Sequence, residues 1–297
     1  MTYSVVARDP KTGELGVAVQ SHYFSVGAVV TWARSGVGAI ATQSMAEISY
    51  GPLGLDLMAA GKTAPDALQS LLRTDPRSDT RQVGMVDSQG NVGVHTGARC
   101  IDFAGHVQGD QFSCQANLMS NDSIWGAMER EYRRKEDLQL PERLLATLEA
   151  AEAAGGDARG KQSTALLVVS SKPYTNPWMG RIMELRIEDH PEPLPELKRL
   201  LRIRRAYDWA DKGDDLISLG KIEESLMAFK KAQELAPEIE EIRYWVGITL
   251  MGSPSTQQQG MQIVKDIFSN SPNWKSVTRS LLEKGYLQKD NPIRELL

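Results

Sequence analysis

The residue of this chain best suited to chemistry is a threonine placed directly behind the first methionine. A small second residue permits removal of the initiator methionine, which would leave Thr2 with a free α-amine beside its own hydroxyl. An α-amine titrates near about 8, so around neutral pH it can accept the hydroxyl proton as the oxygen attacks a carbonyl. Nucleophile and base then belong to one residue, a variant of the serine–base pair. This works only if the chain end is held still, whereas most chain ends fray. Thr2 is followed at once by the β-prone Tyr3-Ser4-Val5-Val6-Ala7, a turn-rich Asp9-Pro10-Lys11-Thr12-Gly13-Glu14 and a second β-prone run, Leu15-Gly16-Val17-Ala18-Val19. That order predicts a hairpin with Thr2 at its head. No targeting segment is expected before it.

Other residues read as supporting groups. Ser4 is the same-strand alternative nucleophile, but it has no amine of its own. Gln20, Ser21 and His22 fall where the hairpin returns towards Thr2; His22 reads either as a catalytic residue or as a structural histidine. Asn117, in Gln115-Ala116-Asn117, is either an amide donor to a tetrahedral oxyanion or a turn residue at a strand end. The stretch Gly155-Gly156-Asp157-Ala158-Arg159-Gly160 lacks the lysine of a phosphate loop and follows a helix. It reads as a helix cap and turn, or as the segment that brings Asp157 or Arg159, leading into Ser163, beside the terminus. Gln43 and Ser44 end a further strand and are second-choice pocket residues. Arg130, Arg133, Arg134 and Lys135 alternate with acids and read as a solvated helix face.

Composition narrows the classes. Of 297 residues, 34 are Lys or Arg and 38 are Asp or Glu, giving a net charge of -4, which argues against a nucleic-acid binder. No apolar run approaches a membrane span, so no membrane partner and a cytoplasmic location are expected. Cys100 and Cys114 stand alone without zinc-type spacing and are expected to be reduced thiols. Four scattered histidines and the lack of a Walker loop, a strand-linked GxGxxG or an HExxH leave no metal and no cofactor expected.

The elements that must position Thr2 come in blocks. After the hairpin, strands are predicted over Val26–Ala33 and Gly36–Thr42, then helices over Pro52–Ala60 and from Thr63, whose side chain is a natural N-cap. Arg81–Asp87 and Val92–Thr96 read as a hairpin, followed by a less regular strand pair ending near Met119. Helices over Asp122–Arg134 and Pro141–Ala154 and strands over Ser163–Ser170 and Met183–Ile187 complete a domain of residues 1–190. Strands exceeding one sheet, with helices in two groups, predict an α+β fold of four layers, helices–sheet–sheet–helices. Residues 191–205 form a proline-rich linker and connecting helix. Residues 206–297 are helical throughout. Gly213, Gly220, Ala228, Phe229, Ala232 and Pro237 have a spacing that resembles the tetratricopeptide (TPR) repeat, and a weaker unit follows over Ile239–Pro272, with a capping helix at Val277–Lys284.

A strand-borne Thr2, the pattern Gly16-Val17-Ala18-Val19-Gln20-Ser21 and paired helices resemble the N-terminal nucleophile (Ntn) hydrolase superfamily. More closely, YSVVARDPKTGELGVAVQS, VTWARSGVGAIATQS, YGPLGLDLMAAG, VDSQGNVGVHTG and GGDARGKQSTALLVV resemble the bacterial family of domain of unknown function 1028, over roughly residues 2 to 187. The resemblance implies the α-β-β-α sandwich and, at superfamily level, amide hydrolysis. The sequence departs from proteasome-like relatives, which flank the threonine with an acid and a lysine. Here Gln20 follows Val19, and the next strand offers Arg34, which stays charged and cannot shuttle a proton.

Two functions follow. In the first, Thr2 hydrolyses a small amide, ureido compound or short peptide through an acyl-enzyme. In the second, the domain is a non-catalytic scaffold and the TPR-like tail docks a protein partner. A homodimer is expected in either case, because an unfinished helical repeat seeks a partner surface.

Overall fold

The computed structural model of the chain describes residues 2–288 and 290–297. Two compact units divide it, one reaching to Leu201 and the other spanning Arg202–Leu297. The fold is mixed α+β, with two antiparallel sheets followed by a helical region.

In the first unit, β1 (Thr2–Arg8) and β2 (Leu15–Ser21) form the expected hairpin. They lie at the centre of a six-stranded sheet completed by β8 (Phe112–Asn117) and β7 (Gly105–Gly109) on one side, and by β9 (Ser163–Val169) and β10 (Arg181–Ile187) on the other. The second sheet runs in the order β3 (Thr31–Arg34), β4 (Gly38–Ser44), β5 (Arg81–Asp87) and β6 (Val92–Thr96). Alternation along each strand assigns its two faces. Tyr3, Val5 and Ala7 meet α4 (Ile124–Arg134) and α5 (Leu140–Ala153) in one apolar cluster. Ile40, Val83 and Met85 meet α2 (Tyr50–Ala59) and α3 (Ala64–Leu72) in another. Val6, Leu15, Val17, Val19, Ala39, Ala41 and Val86 fill the space between the sheets. The layers are thus helices, sheet, sheet and helices.

One expected strand is different. Val26–Ala33 divides into the single helical turn α1 (Gly27–Val30) and the short β3. Ser25, with φ 55°, turns the chain, and the Val26 N–H is taken by Ser163 Oγ at 3.0 Å. The carbonyls of Ser25 and Val26 then accept from Ala28 and Val30. Burial of Val26 and Val30 between the sheets outweighs the β-propensity of the valines. Thr63 does cap α3, accepting from the Asp66 N–H. Helix α6 (Pro193–Ser218) takes Pro193 and Pro195 into its first turn, where a missing N–H leaves no bond unmade.

Close sheet contact requires glycine at position 84. A Cβ there would meet Gln115 Oε1 at 2.6 Å and Ser113 Oγ at 2.8 Å, side chains of the opposite sheet. Gly84→Val is expected to lower stability by about 1–3 kcal/mol, as overpacked interiors do; urea unfolding monitored by circular dichroism measures it.

In the second unit, α7 (Ile222–Leu235), α8 (Glu240–Met251), α9 (Gln257–Asn270) and α10 (Asn273–Glu283) follow the rest of α6. Gly213 lies against the Phe229 ring, and Gly247 against Val264 and Gly260. Small residues therefore stand where helices approach most closely. Phe229, Ala232, Ile242 and Val246 form one cluster, and Tyr244, Val264, Phe268 and Leu282 another.

Candidate active site

The interior between the sheets is apolar at one end and polar at the other. The change occurs along β1 itself, where Val6 faces hydrocarbon while Ser4 and Thr2 meet amides. Thr2 pairs in register with Ser21 on β2 and Asn117 on β8. It is only 4% exposed, and its Oγ1 donates to Ser21 Oγ at 3.1 Å. Its carbonyl accepts from Gln43 Nε2 at 3.2 Å and Asn117 Nδ2 at 3.3 Å. Both of these amides also donate to Gln82 Oε1, each at 2.8 Å. Ser4 Oγ donates to Gln43 Oε1 at 2.6 Å and accepts from Gln115 Nε2 at 2.7 Å. A network of this kind, buried between sheets, holds its members in place because an unmade bond there is costly.

Thr2 opens onto a cavity of about 440 Å³, which Ser21, Gln43, Ser44, Arg77, Arg81 and Arg159 also line. Its apolar wall comes from Val26, Val29 and Val30 together with Tyr23, Met45 and Ile48. Three non-glycine residues in the left-handed region border this place. They are Ser25 directly before Val26, Ser44 at the end of β4 and Leu118 directly after Asn117, with φ 55°, 70° and 52°. Such backbone costs about 1–3 kcal/mol and collects at functional sites.

Two ion pairs brace the cavity, one buried and one with only its carboxylate buried. Arg81 Nε donates to Asp75 Oδ2 at 2.7 Å, and its guanidinium also reaches the Met45 carbonyl. The bonds from Arg81 hold the Asp75 carboxyl below its ordinary value against the opposing effect of burial. Tyr50 donates to the same carboxylate; burial first, then Asp75, raises the phenol above its usual range. The second pair joins Arg159 Nη2 to Asp157 Oδ2 at 2.9 Å, and that carboxylate also accepts from the His22 N–H at 3.1 Å. The Asp157 side chain is fully buried. Among the described residues, no three His, Cys, Asp or Glu side chains converge as a metal site.

The structure brings together Thr2, Ser21, Gln43, Ser44 and Arg159 at the cavity, with Asp157 behind Arg159 and Asn117 beside Thr2. Asn117 spends its amide hydrogens on Thr2 and Gln82, so in this arrangement it holds Thr2 and aims no donor into the cavity. Its buried Oδ1 has no partner. Ser163 ties down the loop after β2, donating to the Tyr23 carbonyl and accepting from Val26. His22 is exposed and lies outside the lining. Gln20 projects from the opposite face of the sheet and donates to Glu152 Oε2 at 2.8 Å, an acceptor it shares with Tyr3. Arg34 lies at the far end of its sheet, opposite Gly38, and pairs with Asp56 at 2.8 Å. Ser4 is fully buried with both partners engaged. Met1, whose removal the sequence leads one to expect, lies outside the described residues.

Gln82, Arg77 and Arg81 belong to this place although sequence reasoning did not select them. One signal was available: a glutamine and an arginine opening an otherwise apolar strand, Arg81-Gln82-Val83-Gly84-Met85-Val86.

The chain belongs to DUF1028, a family of unknown function whose model matches residues 2–197. The crystal structure of protein SPO2555 from Silicibacter pomeroyi, also assigned to DUF1028, is similar at 31% sequence identity and a TM-score of 0.61. That match covers 68% of this chain and 84% of the other. No curated protein matches the chain. Among the described residues, no helix is long and apolar enough to cross a membrane.

Proposed function

We propose that the first unit is an Ntn-type amidohydrolase of the cytoplasm, with Thr2 as its nucleophile. One observation carries the reading: the threonine hydroxyl is held at the head of the central strand, at the floor of a cavity of ligand size. The helices–sheet–sheet–helices layering supports assignment to the Ntn superfamily. Unpaired Cys100 and Cys114 are compatible with a reducing compartment.

With Met1 removed, the α-amine of Thr2 takes the Oγ1 proton while the oxygen attacks the amide carbonyl. The C–N bond breaks, the proton passes to the departing amine, and a threonyl ester remains. Water then attacks the ester, releasing the acid and restoring the hydroxyl. Asn117 Oδ1, buried without a partner beside Thr2, is the natural acceptor for an amine hydrogen. Hydroxyls of Ser21 and Ser44, with Arg159, supply donors for the oxyanion.

The second reading, a scaffold without chemistry, gains from the lining, in which neither a carboxylate nor a lysine stands beside Thr2. In this second reading the C-terminal unit is a TPR-like module that docks a protein partner. The close helix approaches at Gly213 and Gly247 and the exposed Leu219 and Met227 support that role. The intact mass of protein purified from its own host tests the mechanism. A species lacking Met1 is expected; complete retention of Met1 or an acetylated terminus removes the base and ends the hydrolase reading.

A further inference from the structure

The chemistry of the cavity lining is uneven in a way that points to its ligand. Three of its fourteen residues are arginines and none is an acid or a lysine. The arginines are not equivalent. Arg81 is bound by Asp75 and the Met45 carbonyl, and Arg159 by the buried Asp157. Arg77 is exposed, and among the described residues no carboxylate pairs with its guanidinium; its backbone alone is engaged, the N–H by Asp75 Oδ1 and the carbonyl by Thr80. A guanidinium presents a planar fork that matches a carboxylate with two parallel hydrogen bonds.

The other wall is apolar and unusually open to water. Tyr23, Met45 and Ile48 are 56%, 48% and 46% exposed, and they rim a cavity whose inner side is Val26, Val29 and Val30. Large apolar side chains gathered at a cavity mouth mark a surface that a ligand covers. The same cavity has its scissile position at Thr2, so three contacts are demanded of a single small molecule.

We infer that the ligand is an amphipathic amide acid, in which one side of the amide carries an apolar chain for the Tyr23–Met45–Ile48 wall and the other a free carboxylate for Arg77. N-acyl amino acids and dipeptides with an apolar first residue have this form. The inference names the substrate class of the Thr2 site and rests on that reading for turnover, but not for binding.

The test separates the two. N-hexanoylglycine and its neutral counterpart N-hexanoylglycinamide are titrated calorimetrically into the full-length wild-type protein and into Thr2→Ala, which holds ligand without consuming it. The acid is expected to bind at least tenfold more tightly than the carboxamide to both proteins. Arg77→Gln is expected to bring the ratio towards one, and Arg77→Lys to restore part of it. Arg77 is exposed, so neither change threatens folding. Equal binding, tighter binding of the carboxamide, or no binding of either compound overturns the substrate class, whatever Thr2 does. Tight, acid-selective binding with no hydrolysis by the wild type upholds the ligand class and overturns the hydrolase. Thr2-dependent hydrolysis of both compounds with no preference does the reverse.

Discussion

If Thr2 is the nucleophile proposed above, Thr2→Ala is expected to abolish amide hydrolysis, lowering kcat by about 10⁴-fold or more, as loss of the nucleophile does in acyl-transfer enzymes. Thr2→Ser keeps a hydroxyl and an α-amine on the same atoms and is expected to retain measurable turnover. Neither change should unfold the protein. Thr2 is held by backbone pairing to both β2 and β8, and alanine forfeits one side-chain hydrogen bond, to Ser21. That bond contributes about 1 kcal/mol. The measurement is release of amine from a panel of N-acyl amino acids, alongside thermal unfolding of the three proteins. An alanine variant that hydrolyses the panel at the wild-type rate would remove Thr2 from the mechanism.

Asp75→Asn should have the largest effect on stability. The Arg81 side chain is 8% exposed and that of Asp75 11%, and the two join at 2.7 Å. Asparagine keeps the shape but leaves a buried guanidinium whose nearest remaining carboxylate, Glu47, is 3.8 Å away and much more exposed. Breaking a buried pair by removing one charge costs about 3–5 kcal/mol, and with Glu47 in reach the lower end is expected. The pair also shapes the cavity, because Arg81 both lines it and anchors the Met45 carbonyl. The sign of the pH dependence follows from the depressed Asp75 carboxyl. Its contribution is fully present above the unfolded value of about 3.9 and fades as pH falls through the folded one. Guanidinium unfolding at pH 7 and at pH 3 should therefore show a large gap between wild type and Asp75→Asn at pH 7 and a smaller gap at pH 3. An equal gap at both would place the effect in packing and not in charge.

Much of the site could be read from the sequence because it lies on a hairpin of adjacent residues. Thr2 and Ser21 are linked by one turn, and a turn sets the register of its strands. The same alternation that makes Ser21 a neighbour of Thr2 sends Gln20 to the other face, to Glu152. Counting by two would have excluded it. Arg34 failed for a similar reason: its strand is short, and the arginine is at the end of β3 remote from Gln43 and Ser44. Gln43 and Ser44 were legible as polar residues ending an apolar strand. Asp157 and Arg159 were legible because two glycines with positive φ force the turn that carries them.

By itself, the sequence determined the hairpin, the helix caps, the grouping of strands and helices, and Thr2 at the head of a strand, since each depends on local propensity and period. The tertiary structure alone decided that Arg77 and Arg81 reach the cavity of Thr2, that Asn117 holds Thr2 and aims no donor into that cavity, and that Gly27–Val30 coils into a helical turn. Those outcomes depend on which buried polar groups find partners when two sheets close. Partners such as Gln43 with Gln82, or Asn117 with Gln82, are separated by 39 and 35 residues in the chain. No local pattern records a bond made across that distance.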